Sequence, residues 1–214
     1  TAVGYYALKA NTTASYITGV GYQALKLNTT GTANVALGAD ALRQNLTGAD
    51  NVAVGNNALA LNTASNNTAV GKNALTANTT GIRNTALGSD TLKANTTASY
   101  NTAIGFETLI ANTTGANNTA IGTWALDANT TASNNTAVGY ASLGANTTGD
   151  LNVAVGRETM LSNTTGSENS AVGRNALRNN TTGANNTAMG SLAGHNNTTA
   201  DNNSAVGYHA LYAN

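Results

Sequence analysis

The residues that could carry catalysis are few and scattered in this sequence. Cysteine is absent, and the 214 residues include two histidines, His195 and His209, and nine acidic residues. Catalysis needs titratable groups that converge on one point and have tuned pKa values. Both histidines lie at positions that vary along the chain. We therefore predict solvated surface histidines, no catalytic residue and no enzyme.

Acidic residues are the second candidates, because carboxylates can hold a metal ion. Asp40, Asp90, Glu107 and Glu158 occupy equivalent positions in the sequence, but Asn, Gln and Trp alternate with them. Calcium-binding β-rolls use a nonapeptide rich in Gly and Asp, and this chain has no such repeat. We predict neither a metal site nor a cofactor.

Asparagine and threonine recur together, as in Asn95-Thr96-Thr97. Asn-x-Thr is formally an acceptor for N-glycosylation. Asparagine and threonine are also favoured in turns, where their side chains bond to the local backbone. Because the triplet recurs so regularly, we interpret it as a turn, and glycosylation stays open.

Exposed aromatic residues are the candidates for contact with a partner. Five of them directly follow a glycine and are predicted to lie on one edge of the surface, where they could touch sugars or proteins: Tyr5, Tyr22, Phe106, Tyr140 and Tyr208. Trp124 is a further aromatic residue whose role the sequence leaves open.

A short tandem repeat positions all of these residues. Aligning the glycines of the Ala-apolar-Gly triplets gives thirteen copies at a regular spacing of about 17 residues, and only the interval between Gly55 and Gly71 is shorter, by a single residue. The consensus is N-[T/V]-A-[V/I/L]-G-x-x-A-L-x-A-N-T-T-[G/A]-x-x.

The period and the turn residues of this repeat indicate short strands. Two-helix repeats need more than about 30 residues, and here Gly and Asn-Thr-Thr interrupt every copy. We predict an all-β parallel β-solenoid with about 13 coils, each of about 17 residues and with two short strands.

The first apolar piece of the repeat alternates in side-chain size. Val52 and Val54 fall on one face of a strand, and Ala53 and Gly55 fall on the other. We expect the larger side chains, including Val54 and Ile121, to fill the interior. The column of small residues is expected to allow close approach of another sheet or subunit.

The second apolar piece carries leucine in eleven of the thirteen copies, from Leu8 to Leu211. This column is the best candidate for the core, and Leu42, Leu59 and Leu126 belong to it.

Stacked coils would place identical residues above one another, about 4.8 Å apart, in a rod of about 60 Å. The recurring asparagine, which includes Asn45, Asn112, Asn129 and Asn146 and ends at Asn214, is predicted to form a hydrogen-bonded ladder. The recurring glycine, at Gly38, Gly55 and Gly122 among others, is predicted to shape a turn.

Composition excludes several classes of protein. Charged residues make up only 8% of the chain, the formal net charge is zero, and no basic stripe indicates nucleic-acid binding. No apolar run approaches the roughly 20 residues that a membrane-spanning helix needs. The composition is uniform from residue 1 to residue 214, which predicts a single repeat domain.

The stretches Asn34-Val35-Ala36-Leu37-Gly38 and Asn152-Val153-Ala154-Val155-Gly156 resemble the N-S-V-A-I-G core of the head repeats of trimeric autotransporter adhesins. The following G-x-x-A-L-x-A-N is similar to the continuation of that repeat, and similar arrays occur in phage tail-fibre and bacterial surface proteins. The resemblance covers the whole chain, although the period is longer than in the adhesins. It implies a parallel β-roll, often trimeric, on the surface of a cell or virion.

Two functions therefore remain open. The first is a structural, extracellular or surface solenoid that self-associates, as a lateral trimer or end to end, into a fibre, filament, shaft or adhesive head. The chain starts within a repeat at Thr1 and shows no polar caps, so we expect a segment of a longer chain or filament. The alternative is a ligand-binding solenoid that recognises glycans or ice through a flat exposed ladder, with surface glycans or a host protein as partners.

Overall fold

A computed structural model of the protein describes residues 1–213, which form thirteen short strands and no helix. These residues accordingly provide no helical segment that could cross a membrane. The strands are β1 (Ala2–Val3), β2 (Thr18–Val20), β3 (Val35–Leu37), β4 (Val52–Val54), β5 (Thr68–Val70), β6 (Thr85–Leu87), β7 (Thr102–Ile104), β8 (Thr119–Ile121), β9 (Thr136–Val138), β10 (Val153–Val155), β11 (Ser170–Val172), β12 (Thr187–Met189) and β13 (Ser204–Val206).

The strands form one parallel sheet in which each strand pairs with the next along the chain. Ala103 of β7, for example, pairs with Ala120 of β8, so the register shift between neighbouring strands equals one repeat. Each repeat is therefore one coil of a parallel β-solenoid. This confirms the predicted fold class and the predicted spacing of the repeat.

The segment around the leucine is a run of turns and not the second strand that we expected from the sequence. The amide of Ala41 donates to the carbonyl of Gly38 (3.4 Å), and that of Arg43 donates to Asp40 (3.3 Å). Asp40 and Leu42 have left-handed φ angles of 58° and 49° at the third position of these turns, as in type II turns. A second strand is excluded because left-handed residues break the extended backbone.

Leucine is an unusual residue for this left-handed position, which costs a non-glycine residue about 1–2 kcal/mol. Leu42 is nevertheless fully buried, and burying a leucine side chain contributes about 1.5–3 kcal/mol. Its amide also donates to the carbonyl of Ala58 in the next coil (3.0 Å). Burial and the bond between coils together offset the backbone strain.

The interior is narrow and is filled by leucine and alanine. Leu42, Leu59 and Leu126 are fully buried, as is the alanine at the centre of each strand from Ala36 to Ala188. The expectation that the larger strand side chains face the interior is wrong: Val54 is only half-buried, and Ile121 is 37% exposed. The alanine column consequently lies inside the coil and is not available to a neighbouring subunit.

Steric space explains why alanine faces inward. Gly19 is the one glycine in the strand-centre column, and a methyl group placed on it would lie 3.2 Å from Cγ of Leu8. The β-carbon at the strand centre therefore already touches the leucine column. A branched side chain such as valine has no room there, so the strands turn their larger residues outward.

The recurring glycine after each strand is required by both backbone conformation and space. Gly122 has a φ of 131°, which L-residues rarely adopt, and a methyl group on it would lie 2.5 Å from the carbonyl oxygen of Gly139. The same arrangement recurs at Gly38 and Gly55. No side chain can therefore replace the hydrogen of this residue without moving the next coil.

The Gly122→Ala substitution should destabilise the solenoid by about 3 kcal/mol, through backbone strain and the clash with Gly139. The shift of the urea unfolding midpoint, followed by circular dichroism, measures the effect. Gly144→Ala is the matched control, because Gly144 lacks a positive φ and its added methyl group would meet no atom closer than 3.2 Å. Equal midpoints for the two variants would contradict this account of the glycine column.

Candidate functional site

Two asparagines close each coil by bonding to the same backbone carbonyl. In the coil that begins with β8, Nδ2 of Asn118 and Nδ2 of Asn129 donate to the carbonyl of Ala132, at 2.9 and 3.1 Å. Asn118 opens the coil and Ala132 lies near its end, so these bonds tie its two ends together. The pattern holds in each coil from Asn34–Gly48 to Asn186–Ala200.

The second of these asparagines also forms the predicted ladder between coils, which the structure confirms. Nδ2 of Asn129 donates to Oδ1 of Asn112 (2.8 Å), and Nδ2 of Asn146 donates to Oδ1 of Asn129 (3.2 Å). Both hydrogens and the oxygen of the Asn129 amide are thus used. Asn45, Asn112, Asn129 and Asn146 are fully buried, and Asn214 lies outside the described residues.

The asparagine that opens each coil forms a second ladder, with the backbone as donor. The amide of Asn135 donates to Oδ1 of Asn118 (3.0 Å), and the amide of Asn152 donates to Oδ1 of Asn135 (2.9 Å). The opening position of the second coil carries Ile17, which has no side-chain acceptor. Both ladders lie inside the solenoid.

Burial also bears on the Asn-x-Thr triplets. Asn95 is fully buried, and its Nδ2 donates to Oδ1 of Asn78 (2.9 Å) and to the carbonyl of Ala98 (3.1 Å). A glycan on this nitrogen would replace one of its two hydrogens, so at least one of these bonds would be lost, and the buried site has no surface through which the sugar could leave. The geometry of the folded coil therefore favours the turn and the ladder over glycosylation.

The two threonines of each turn have different environments. The hydroxyl of Thr113 donates to the carbonyl of Thr130 in the next coil (3.0 Å). Thr114, the second threonine, is exposed, as are its equivalents in the other coils. The first threonine therefore joins the coils through its side chain, whereas Thr114 does so only through its backbone amide, which donates to the carbonyl of Thr130 (3.3 Å).

One coil is a single residue shorter than the others, and it interrupts the asparagine ladder. Oδ1 of Asn45 is buried and has no hydrogen-bond partner. Nδ2 of Asn62 donates to the carbonyl of Ala64 (2.8 Å), and the ladder resumes where Asn78 donates to Oδ1 of Asn62 (2.6 Å). The missing residue thus breaks one amide pair and also the backbone bond that would join Leu46 to Thr63 in the turn, while strands β4 and β5 remain paired.

The Asn129→Asp substitution should destabilise the protein by about 3 kcal/mol at neutral pH, because a carboxylate would face the oxygens of Asn112 and Ala132. Burial beside these oxygens raises the folded-state pKa of the new carboxyl above its unfolded value. Stability should therefore recover as the pH falls through that raised pKa and should be restored below about 4, where the carboxyl is protonated in both states and donates again. Urea midpoints measured from pH 3 to pH 8 test both parts.

The Asn134→Asp substitution is the control in the same coil. Asn134 is exposed and has a φ of 60°, and Asp50 occupies the equivalent position of another coil. The urea unfolding midpoint of the Asn134→Asp variant should stay near that of the parent protein. A loss as large as that of Asn129→Asp would show that net charge, and not the ladder, controls stability.

Insertion of a threonine between Thr63 and Ala64 restores the regular period. Nδ2 of Asn62 should then donate to Oδ1 of Asn45, which now lacks a partner. This additional hydrogen bond should stabilise the protein by about 1 kcal/mol. Thermal unfolding measures the gain. A threonine inserted after Thr130 is the control and should destabilise, because it breaks an intact register.

The outward residues of the strands form an uncharged surface that we call the outer sheet face. It consists of the first and third residue of each strand, and these are Thr, Val or Ser in the first column and Val, Leu, Ile or Met in the second, except for the two-residue strand β1. Leu87 is 46% exposed, Val172 is 41% exposed and Met189 is 49% exposed. The face runs along the whole sheet.

The acids of the shared variable column are mostly paired with basic residues. Nζ of Lys93 lies 2.9 Å from Oδ1 of Asp90, and this hydrogen bond is the main reason that the pKa of Asp90 is lowered to about 2. Arg178 and then Arg157 lower the pKa of Glu158. Among residues 1–213, no three His, Asp or Glu side chains converge in a way that could hold a metal ion.

The predicted aromatic residues are all exposed but do not form one site. Tyr5 stacks on Tyr22 with 5.8 Å between ring centroids, and Tyr140 contacts Trp124 edge to face at 5.4 Å. Phe106 and Tyr208 are exposed elsewhere along the solenoid. Since coils are about 4.8 Å apart, the pairs are too distant to bind one small ligand.

The two histidines share a tyrosine neighbour. The ring of Tyr212 stacks on His209 at 4.5 Å and on His195 at 5.0 Å. Nδ1 of His195 also lies 2.8 Å from Oδ1 of Asn196. These contacts are typical of packed surface side chains and bring no nucleophile to either ring.

Sequence reasoning missed a surface notch beside Trp124. It is lined by Trp124, Asp127, Ala141, Gly144 and Leu161, among others. The sequence contained one indication of this notch. Ala141 and Gly144, the variable residues on either side of Ser142-Leu143, are both small in this coil.

Compared with family models, curated proteins and solved structures, the chain shows no significant match. The fold and the ladders define it as a parallel β-solenoid with buried asparagine stacks.

Proposed function

We propose that the protein is a structural β-solenoid whose copies associate side by side through the outer sheet face. The observation that carries this proposal is a continuous apolar column on that face, from Leu37 to Val206, whose side chains are either exposed or half-buried. Soluble monomers rarely expose large contiguous apolar patches, and such patches commonly mark interaction sites. A second copy of the same chain is the partner that fits best.

The area of the face is sufficient for a specific interface. A strand of three residues is about 10 Å long, and thirteen strands extend over about 60 Å. Each copy could therefore cover on the order of 600 Å², or about 1,200 Å² for a pair, which lies at the lower end of specific protein interfaces. Adding a third copy would bury more surface per chain.

The regularity of the face also favours self-association. Neither column contains a charged residue, so two copies would bury no unpaired charge. Both copies also repeat at the same spacing, and side chains that interlock in one coil would interlock in the following coils. This favours lateral assembly over end-to-end stacking.

Location on a cell or virion surface is part of the same proposal. It is supported by the resemblance to the head repeats of trimeric autotransporter adhesins and to phage tail-fibre repeats. A laterally assembled rod would suit a fibre, a shaft or an adhesive head. The corrected orientation of the strands changes the expected interface, which would use the Thr/Val and Val/Ile/Leu columns in place of the alanines.

The double substitution Ile104→Lys and Ile121→Lys tests the interface, because both side chains belong to the outer sheet face. Sedimentation velocity at increasing concentration should show assemblies for the parent protein and monomers for the variant. Thr114→Lys and Thr131→Lys form the control pair, since both threonines are exposed outside this face. A monomeric parent protein at high concentration, or equal dissociation by both pairs, would refute the proposal.

A second candidate function uses the same face for recognition of ice or glycans. The observation in its favour is the run of outward hydroxyls at Thr68, Thr85, Thr102, Thr119 and Thr136, which repeat coil after coil beside the apolar column. A monomeric parent protein that shows thermal hysteresis or glycan binding, lost in the Ile104→Lys and Ile121→Lys variant, would favour this candidate.

A further inference from the structure

The notch beside Trp124 is a candidate binding site that is separate from the outer sheet face. Ala141 and Gly144 line it from one coil, Trp124 and Asp127 from the preceding coil and Leu161 from the following one. A methyl group placed on Gly144 would lie 3.3 Å from Oδ1 of Asp127 and 3.2 Å from Cδ1 of Leu161. The cavity volume is about 470 Å³, within the range of sites for small molecules. The missing side chains of one coil thus leave a gap between two neighbouring coils.

The indole ring at the notch is held in place by its neighbours. Nε1 of Trp124 donates to Oε2 of Glu107 in the preceding coil (2.9 Å). The ring also contacts Tyr140 edge to face, with 5.4 Å between centroids. Trp124 remains 37% exposed, so part of an ordered aromatic surface is open to a ligand.

Asp127 contributes a carboxylate that lacks a cation. Burial raises its pKa above the ordinary value, and the charge of Glu107 raises it further, while backbone amides act in the opposite direction. The coils on either side have uncharged residues, Ile110 and Gly144, at the position equivalent to Asp127. None of the ion pairs within residues 1–213 includes Asp127.

The nearby basic side chains have other partners. Nε of Arg178 lies 3.2 Å from Glu158, and Nη2 of Arg157 lies 2.9 Å from it. The guanidinium of Arg157 also lies 5.7 Å from the ring centroid of Tyr140. The notch therefore combines a carboxylate without a counter-ion, an aromatic wall and an apolar wall at Leu161.

We propose that this notch binds a small organic cation, whose ammonium group contacts Asp127 and the face of Trp124 and whose apolar part packs against Leu161. Aromatic rings attract cations through their quadrupole, and the attraction increases where water is excluded. The carboxylate supplies the opposite charge. A neutral ligand of the same shape would leave this charge uncompensated.

Choline chloride is a suitable probe, because 3,3-dimethylbutan-1-ol has nearly the same shape without the charge. Trp124 is the only tryptophan, so its fluorescence reports on the notch directly. Choline should produce a saturable change with a dissociation constant on the order of 1–10 mM. Saturation-transfer NMR of the choline methyl groups gives a second readout. The neutral alcohol should bind at least about tenfold more weakly.

Two substitutions test the residues of the notch. Asp127→Asn keeps the side-chain shape and should weaken choline binding at least about tenfold, while Gly144→Leu should fill the gap and abolish binding. Asp50→Asn is the matched control for charge, because asparagine occupies that exposed position in other coils, as at Asn66. It should leave choline binding unchanged.

The pH dependence has a defined sign. Binding requires ionised Asp127, so affinity should be full above the raised pKa of this carboxyl and should decrease as the pH falls through it. The same titration of the Asp127→Asn variant should be flat.

Three results would overturn the proposal. They are equal affinity for choline and its neutral isostere, binding of methyl glucoside in place of choline, and absence of any saturable change up to about 0.1 M choline. None of them bears on side-by-side association, which is measured separately by sedimentation.

Discussion

The structure depends on one recurring arrangement, in which two buried asparagine amides bond to a single backbone carbonyl. This arrangement closes each coil, because the opening asparagine and the asparagine of the turn converge on the same oxygen near the end of the repeat. Closure leaves the remaining amide groups free to bond to the coils above and below. A single hydrogen bond contributes only about 1 kcal/mol, but the pattern repeats along the rod, and each buried amide would be costly if it were unpaired.

Closure by asparagine also determines how the rest of the coil is arranged. Each coil is short, and asparagine side chains occupy two of its inward positions. The remaining interior has space for only one leucine and two small residues per coil. The strand then turns its larger residues outward, and an apolar surface is formed as a consequence of the narrow interior. The proposed interface between copies thus has its origin in the core.

Much of the fold could be predicted from the sequence, because the repeat carries the information many times over. The period, the parallel stacking, the leucine core and the asparagine ladder all follow from aligned columns. The orientation of the strands was predicted wrongly, since side-chain size was taken as the sign of burial. Variation within the chain was the better signal: the strand-centre column admits only Ala and Gly19, whereas the outward columns vary in size and polarity.

Leucine normally avoids left-handed backbone, so no local pattern indicated that Leu42 lies in a turn. The notch at Trp124 depends on side chains from three coils, and only the stacked structure shows that Asp127, Gly144 and Leu161 are neighbours.

Alignment of the inter-coil hydrogen bonds along the rod has a mechanical consequence. Tension along the rod would act equally on every coil boundary, and the boundary with the weakest set of bonds would open first. Each released coil would add about 55 Å of extended chain in place of about 4.8 Å of rod. Such a rod would lengthen stepwise under load, and the shortened coil with its interrupted amide pair would be the first place to yield.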